Sequence, residues 1–266
     1  MKQQLMSEKI KDPVFFQVYY LGQIPHEKQA EVLRSKAKNK VVCCGRRSGK
    51  TQMLAGELIR RAVIREEEGG YKKQILIAPT YKQALIVFHK IIELIRYSPR
   101  GQGDIASSPI HPHPKIIWNN RRQIDFASAD NPDSLRGEGY DFVVEDESAF
   151  IKGKKSRDAI KPLTFDTGAP HWKLSTPHGN TGEFFESAER AKRGEKGYEY
   201  FHYNYKDNPY LAKEGIEEIE AEIEEFGENN IYVQTEIFGN FVSAIDVYFE
   251  RDLIEFATVD YDMVKL

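Results

Sequence analysis

Short apolar runs alternate with amphipathic stretches along most of the chain, and that alternation predicts the architecture. Residues 40–44, 74–78, 142–144 and 172–174 are short, mainly apolar runs that read as buried strands. Between them, residues 26–36, opened by Pro25, carry Ala30, Val32 and Leu33 at helical spacing. Residues 51–67 form a second helix that stops at Gly69-Gly70. A third, Tyr81–Arg96, repeats Ala84, Leu85, Phe88, Ile91, Ile92 and Ile95 on one side. Lys115–Trp118 and 123–127 flank Asn119-Asn120 as a hairpin, and the Pro-, Gly- and Ser-rich stretch 98–114 is a loop. Strands alternating with helices imply an α/β fold, a mostly parallel sheet covered on both faces, with ligands at the carboxyl ends of its strands.

The ends of the chain follow different patterns. Residues 1–24 are expected as an N-terminal arm whose Phe15, Phe16, Tyr19, Tyr20 and Leu21 pack on a core spanning 25–180. After Pro177 come a strand near 198–203 and a charged helix near 213–226 with Ile216, Ile219, Ile223 and Phe226 as its buried stripe. Residues 181–245 are therefore expected as a small lid-like subdomain, and 246–266 as a linker or tail.

Composition changes this picture little. The 266 residues are 40% hydrophobic and 30% charged, as in an ordinary globular protein, and the net charge of -3 excludes a uniformly basic nucleic-acid coat. Charge is instead segregated: basic residues gather at Arg46-Arg47, Arg96, Arg100, Arg121-Arg122 and Lys152-Lys154-Lys155-Arg157, whereas 214–228 is strongly acidic. The two cysteines, Cys43 and Cys44, are neighbours, which suits a reducing compartment, and no apolar run is long enough to suggest a signal peptide or a membrane span.

The chemistry starts at Cys44-Gly45-Arg46-Arg47-Ser48-Gly49-Lys50-Thr51, between an apolar strand and a helix start. That is a phosphate-binding loop: successive backbone N–H groups converge on an anion at a helix N-terminus, Lys50 reaches the β- and γ-phosphates of ATP, and Thr51 holds magnesium. The pattern is imperfect, since its first position is Cys44 and the glycine arrives one residue later, at Gly45. The apolar strand Phe142-Val143-Val144 ends in Glu145-Asp146-Glu147. Asp146 is expected to bind Mg²⁺ and Glu147 to polarise the attacking water. A register with both roles one position earlier, at Glu145 and Asp146, is also open; Ser148-Ala149 after the acids favours the later one.

These residues resemble the ATPase domain of the large terminases, the DNA-packaging motors of tailed bacteriophages. The likeness rests on the loop Gly45 to Thr51, on Ser134-Leu135-Arg136-Gly137, on Asp146-Glu147-Ser148-Ala149, and on Leu174-Ser175-Thr176-Pro177-His178-Gly179 with Phe184-Phe185 downstream. It is strong over 25–185 and weaker beyond. It implies a P-loop NTPase of the ASCE type that hydrolyses ATP with Mg²⁺ as a homo-oligomeric ring. It further implies that the ring drives double-stranded DNA into a procapsid, with portal and small terminase subunit as partners, in the cytoplasm of the infected bacterial host. By the same resemblance Arg136 is the arginine that completes a neighbour's site, Gln29 reads the adenine edge, Thr176 couples phosphate loss to motion, and Arg46 stands at the family's arginine position four before the lysine; as a loop residue it is expected to contact the phosphates or relay their state, with a bridge to an acid on the lid as the alternative. Arg47, Ser48 and Gly49 complete the nucleotide-binding loop. No nuclease activity is expected in this chain, and no membrane partner.

Arg96, Arg100, Arg121 and Arg122 are weaker candidates for backbone contacts to DNA. His89 and His171 are expected to be packing residues, and His111-Pro112-His113-Pro114 lacks the further ligands of a metal site. Two other functions fit the same motifs: a helicase-like translocase, which would track single strands, and a nucleotide-gated DNA-binding switch with little turnover.

Overall fold

The computed structural model describes residues 9–64, 70–131, 137–152 and 158–242. Eight strands form one sheet: β1 (Asn39–Cys44), β2 (Lys73–Ala78), β3 (Ile105–Ser107), β4 (Lys115–Trp118), β5 (Gln123–Ser128), β6 (Phe142–Asp146), β7 (His171–Ser175) and β8 (Tyr198–Tyr203). Their order is β3-β4-β5-β2-β6-β7-β1-β8. All neighbours from β5 to β8 run parallel, and only the β3-β4-β5 edge is antiparallel. The expected hairpin is thus present, as that edge.

Because side chains alternate across a strand, each apolar run feeds two cores. On one face Val42, Leu76, Phe142, Val144, Trp172 and Leu174 meet α3 (Lys50–Val63) and α4 (Tyr81–Arg96). The same core takes in α2 (Glu27–Arg34) through Val32 and Leu33. It also holds Phe16 at the end of the short α1 (Pro13–Phe16) and Tyr20 and Leu21 of the π-helical turn that follows. The N-terminal arm is therefore fastened to the sheet by aromatic burial. On the other face, Ile75, Ile77 and Val143 pack under Ile160 and Leu163, and Val41 and Cys43 pack under Phe184 and Ala188 of α5 (Glu183–Lys192).

Two expectations need correction. The strand at 198–203, assigned above to a lid-like subdomain, pairs with β1 along its whole length and belongs to the main sheet. Its mixed sequence is that of an edge strand. What stands outside the sheet is a fourth apolar cluster, where Tyr205, Val233, Ile237 and Phe238 meet Ile216, Ile219 and Ile223 of α6 (Lys213–Phe226). Phe226 does not extend that stripe; it is 49% exposed and packs edge-on to Tyr232.

Inside α3, Glu57 is fully buried and accepts from Arg60 Nε at 2.7 Å and from Arg61 Nε at 2.6 Å. Burial opposes its charge, but the two guanidinium groups prevail and hold the carboxyl down at about 2. Removing one member of such a pair typically costs about 3–5 kcal/mol. Glu57→Gln should lower unfolding stability by about that much at neutral pH. The native carboxyl lies below its ordinary value of 4.5, so its contribution is complete above about that pH and disappears as pH falls toward 2. The gap between variant and parent in urea unfolding should close over that window.

Candidate functional site

Three adjacent strand ends in the parallel part of the sheet build the site. β7 lies between β1 and β6 and pairs with both, so Cys44, Ser175 and Asp146 end side by side. The chain leaves β1 through Gly45 to Gly49 and enters α3 at Lys50. Arg47 (φ 61°) and Gly49 (φ 85°) are both left-handed, which curls the backbone so that N–H groups and a helix N-terminus share one focus. Arg47 is not glycine, and its conformation is held by Asn208, whose side-chain amide donates to the Arg47 carbonyl at 2.7 Å.

Lys50 Nζ lies 2.6 Å from Glu147 Oε1 and 3.6 Å from Asp146 Oδ1. Burial alone would lower the Lys50 ammonium, yet the carboxylates of Asp146 and Glu147 outweigh it and raise it above its ordinary range. For Asp146, burial and the adjacent Glu147 charge win over Lys50 and raise the carboxyl. Glu147 also accepts from Ser175 Oγ at 3.3 Å. Its backbone is left-handed (φ 54°, ψ 43°), a conformation costing a residue with a Cβ about 1–2 kcal/mol. The surrounding contacts must supply that energy.

Asp146 Oδ1 is buried without a hydrogen-bond partner, and 3.6 Å to Lys50 is too long to be one. An unsatisfied carboxylate oxygen beside the loop and the Thr51 hydroxyl is the donor set of a hard divalent ion that takes its other ligands from phosphates and water. Among the described residues no group of three His, Cys, Asp or Glu could enclose a metal by itself. The residues present therefore fit magnesium carried with a nucleotide.

The loop opens on a cleft of ≈ 780 Å³ lined by Gly45 through Gln52, Glu147 and Thr176 on the sheet side. Gln83, Ile86 and Lys90 of α4 and Asn208, Leu211 and Glu236 form its other walls. Nearly all expected loop residues therefore meet in one place, with Asp146 just beneath. Glu145 does not join them. It points through the opposite face, where its carboxylate lies 2.7 Å from His171 Nε2 and 4.0 Å from Lys173 Nζ and accepts from Ser148 Oγ at 2.6 Å. Burial would raise this carboxyl, but Lys173 and His171 hold it at about 2. The earlier register of the acids thus puts one carboxylate on the wrong side of the sheet. His171 is likewise part of this charged cluster and not an apolar packing residue.

Other expected residues are placed differently. The Gln29 amide is used inside the protein: Oε1 accepts from the His26 N–H at 3.1 Å and Nε2 donates to the Gly49 carbonyl at 2.9 Å. Here it ties α2 to the loop, outside the cleft lining, and does not present a free edge to a base. Arg46 takes the bridging alternative, with Nε 2.6 Å from Glu236 Oε2. Arg136 lies outside the described residues. Of the DNA candidates, Arg100 donates to the Tyr19 carbonyl and stacks on its ring at 3.7 Å, and Arg122 donates to the Ile64 carbonyl at the end of α3. Both are occupied structurally, which leaves Arg96 and Arg121 as the more available pair.

No local pattern announced the outer wall of the loop. Gly45 N–H donates to the Tyr203 carbonyl at 3.1 Å and Arg46 N–H to the Glu236 carbonyl at 2.6 Å. A Cβ on Gly45 would sit 1.9 Å from the Ile237 carbonyl oxygen, and one on Gly239 would sit 2.6 Å from the Gly45 nitrogen. The two backbones touch, and only glycine fits between them. Ser175, Asn208 and Glu236 were missed for the same reason: each acts through a partner distant in sequence.

The family model described as "Terminase large subunit, T4likevirus-type, N-terminal" matches residues 42–256. The terminase large subunit of Thermus phage G20c is 32% identical over 191 residues, covering 62% of this chain and 36% of that protein. The chain thus spans about a third of the length of this relative. The Thermus phage P74-26 large terminase ATPase domain superposes with a TM-score of 0.67 at 26% identity, covering 86% of this chain and 97% of that one. The large terminase of a thermophilic bacteriophage, solved in complex with ADP, has the same fold, with a TM-score of 0.64 at 18% identity over 85% of this chain and 56% of that one.

The contact between Gly45 and residues 237–239 makes a definite prediction. Gly45→Ala should force the two backbones apart, lower thermal stability by several degrees and speed amide hydrogen exchange at 233–239 while leaving α4 protected.

Proposed function

We infer the function from membership: the chain belongs to the terminase large-subunit family, in its T4-like N-terminal region. On that premise we propose that it is an ATP-hydrolysing motor domain that drives double-stranded viral DNA into a procapsid. The observation that carries the reading is the Lys50 ammonium held between Asp146 and Glu147 at the mouth of a cleft walled by a phosphate loop.

The residues divide the work by position. A triphosphate entering the cleft meets the N–H groups of the loop and the start of α3, and it competes with Glu147 for Lys50. Transfer of Lys50 to the phosphates frees the Glu147 carboxylate to orient a water in line with the γ-phosphate and to take its proton. Asp146 and Thr51 would hold magnesium, which when bound supplies neutralising charge on the β- and γ-phosphates. Thr176, one residue beyond the serine that touches Glu147 and itself lining the cleft, is the proposed sensor of phosphate loss. In a homo-oligomeric ring Arg136 of a neighbour would stabilise the transferring group, an effect of about 10³–10⁵ in rate.

Partners follow from family and task. A motor that moves any sequence must hold backbone charge, so its affinity for double-stranded DNA should fall steeply with salt. Portal, procapsid and small terminase subunit are the proposed protein partners, in the cytoplasm of an infected bacterium. No helix among the described residues is long and apolar enough to cross a membrane.

Hydrolysis assays test the reading. Glu147→Gln should lower kcat by about 10²–10⁴ while a fluorescent ATP analogue still binds, and Lys50→Ala should lose both. Mixing Arg136→Ala with Glu147→Gln subunits should restore part of the activity that each lacks alone. A Glu147→Gln protein with full turnover would remove Glu147 from the mechanism, and a fully active Arg136→Ala protein would remove the shared site.

A further inference from the structure

We propose that Ser148 and Glu145 are positioning residues for Glu147, fixing it from the face of the sheet opposite the cleft. The inference rests on Glu147 as the water-orienting carboxylate. Its left-handed backbone is one that a residue with a Cβ adopts only when its surroundings impose it. On its N-terminal side the imposition is the β6–β7 ladder, which pairs Asp146 with Leu174. On its C-terminal side the chain turns at once into the 3₁₀ segment Ser148–Phe150, with Phe150 N–H donating to the Glu147 carbonyl at 3.0 Å.

One side-chain contact closes this turn. Ser148 Oγ donates to Glu145 Oε2 at 2.6 Å, spanning Asp146 and Glu147, and both partners are buried. Glu145 is itself immobilised by His171 and Lys173 on β7. Lys173 is in turn gripped by Glu183 at 2.8 Å and Ser187 at 3.1 Å, both on α5. The geometry is a staple across the strand tip, anchored in a helix that begins where the segment following Thr176 ends. Neither Ser148 nor Glu145 lines the cleft, so the staple can govern where the Glu147 carboxylate sits without touching nucleotide.

This arrangement separates binding from turnover. A carboxylate displaced by about 1 Å from its water costs on the order of 10²-fold in rate, whereas the loop and Lys50 still hold phosphates. Ser148→Ala should therefore lower kcat between about tenfold and a hundredfold, with KM for ATP and the affinity for a fluorescent ATP analogue within about twofold of the parent. Glu145→Gln keeps an oxygen for Ser148 but drops the charge facing Lys173 and His171, and should show a smaller fall with the same split. Amide exchange at 146–150 should speed at least tenfold in Ser148→Ala while 50–54 is unchanged, a readout that needs no turnover. Full kcat with unchanged exchange would overturn the staple. So would a parallel loss of rate, affinity and thermal stability in both variants, which marks a merely structural role. Absence of hydrolysis by the parent chain would instead count against the motor reading, with the exchange result still deciding the staple.

Discussion

Two carboxylates and one ammonium share the low-dielectric space above the parallel part of the sheet, and the architecture answers that imbalance. The Asp146 and Glu147 carboxylates raise the Lys50 ammonium above its ordinary range against the pull of burial, while burial and the neighbouring Glu147 charge raise the Asp146 carboxyl. The orphaned oxygen of Asp146 is the atom that a divalent cation carried in with a nucleotide would take, as proposed above. Bringing the three groups together requires β7 between β1 and β6, because only then do the loop and the acids face each other over a serine that touches one of them.

A second set of charges lies on the reverse of the same strand ends. Glu145, His171, Lys173 and Glu183 surround a cavity of ≈ 20 Å³, about the space of one water, with Lys40 and Asn39 closing it. Strand alternation sends residues 145 and 146 to opposite faces, so one run of three acids faces both the cleft and the cluster behind it. On the reverse side Lys173 pairs with Glu183 at 2.8 Å and Glu145 lies 2.7 Å from His171 Nε2 and accepts from Ser148, whereas on the cleft side Asp146 keeps an oxygen without a partner.

Much of this was legible in the sequence, for identifiable reasons. The loop and the acidic strand tip announce themselves because their chemistry sits in consecutive residues whose flanking strand and helix set their direction. The destination of Glu145 was half legible: period two required it and Asp146 to part, but nothing local said which faced the cleft. The strand at 198–203 was found but misplaced, since an edge strand with alternating polarity reads the same in a sheet or in a separate unit. The α6 stripe was read one residue too far because helical period says where a face points and not where its partner ends. Gln29 and Arg46 show a further limit, because the partners that occupy them, Gly49 and Glu236, are chosen by the tertiary fold. The backbone contact of Gly45 with Gly239 leaves no local trace whatever.

That last contact bears on how the molecule comes into being. The outer wall of the phosphate loop is made by residues about 190 positions downstream, so a chain growing on a ribosome at roughly 5–20 residues per second carries an unfinished loop for roughly ten to forty seconds. Within that interval β1 waits for its parallel neighbours until residues 171–175 and 198–203 have been made, and the loop waits longer still for the Glu236 carbonyl that receives the Arg46 N–H. A nascent chain therefore acquires its ability to hold a triphosphate late in translation, after almost every other element of the sheet has been synthesised.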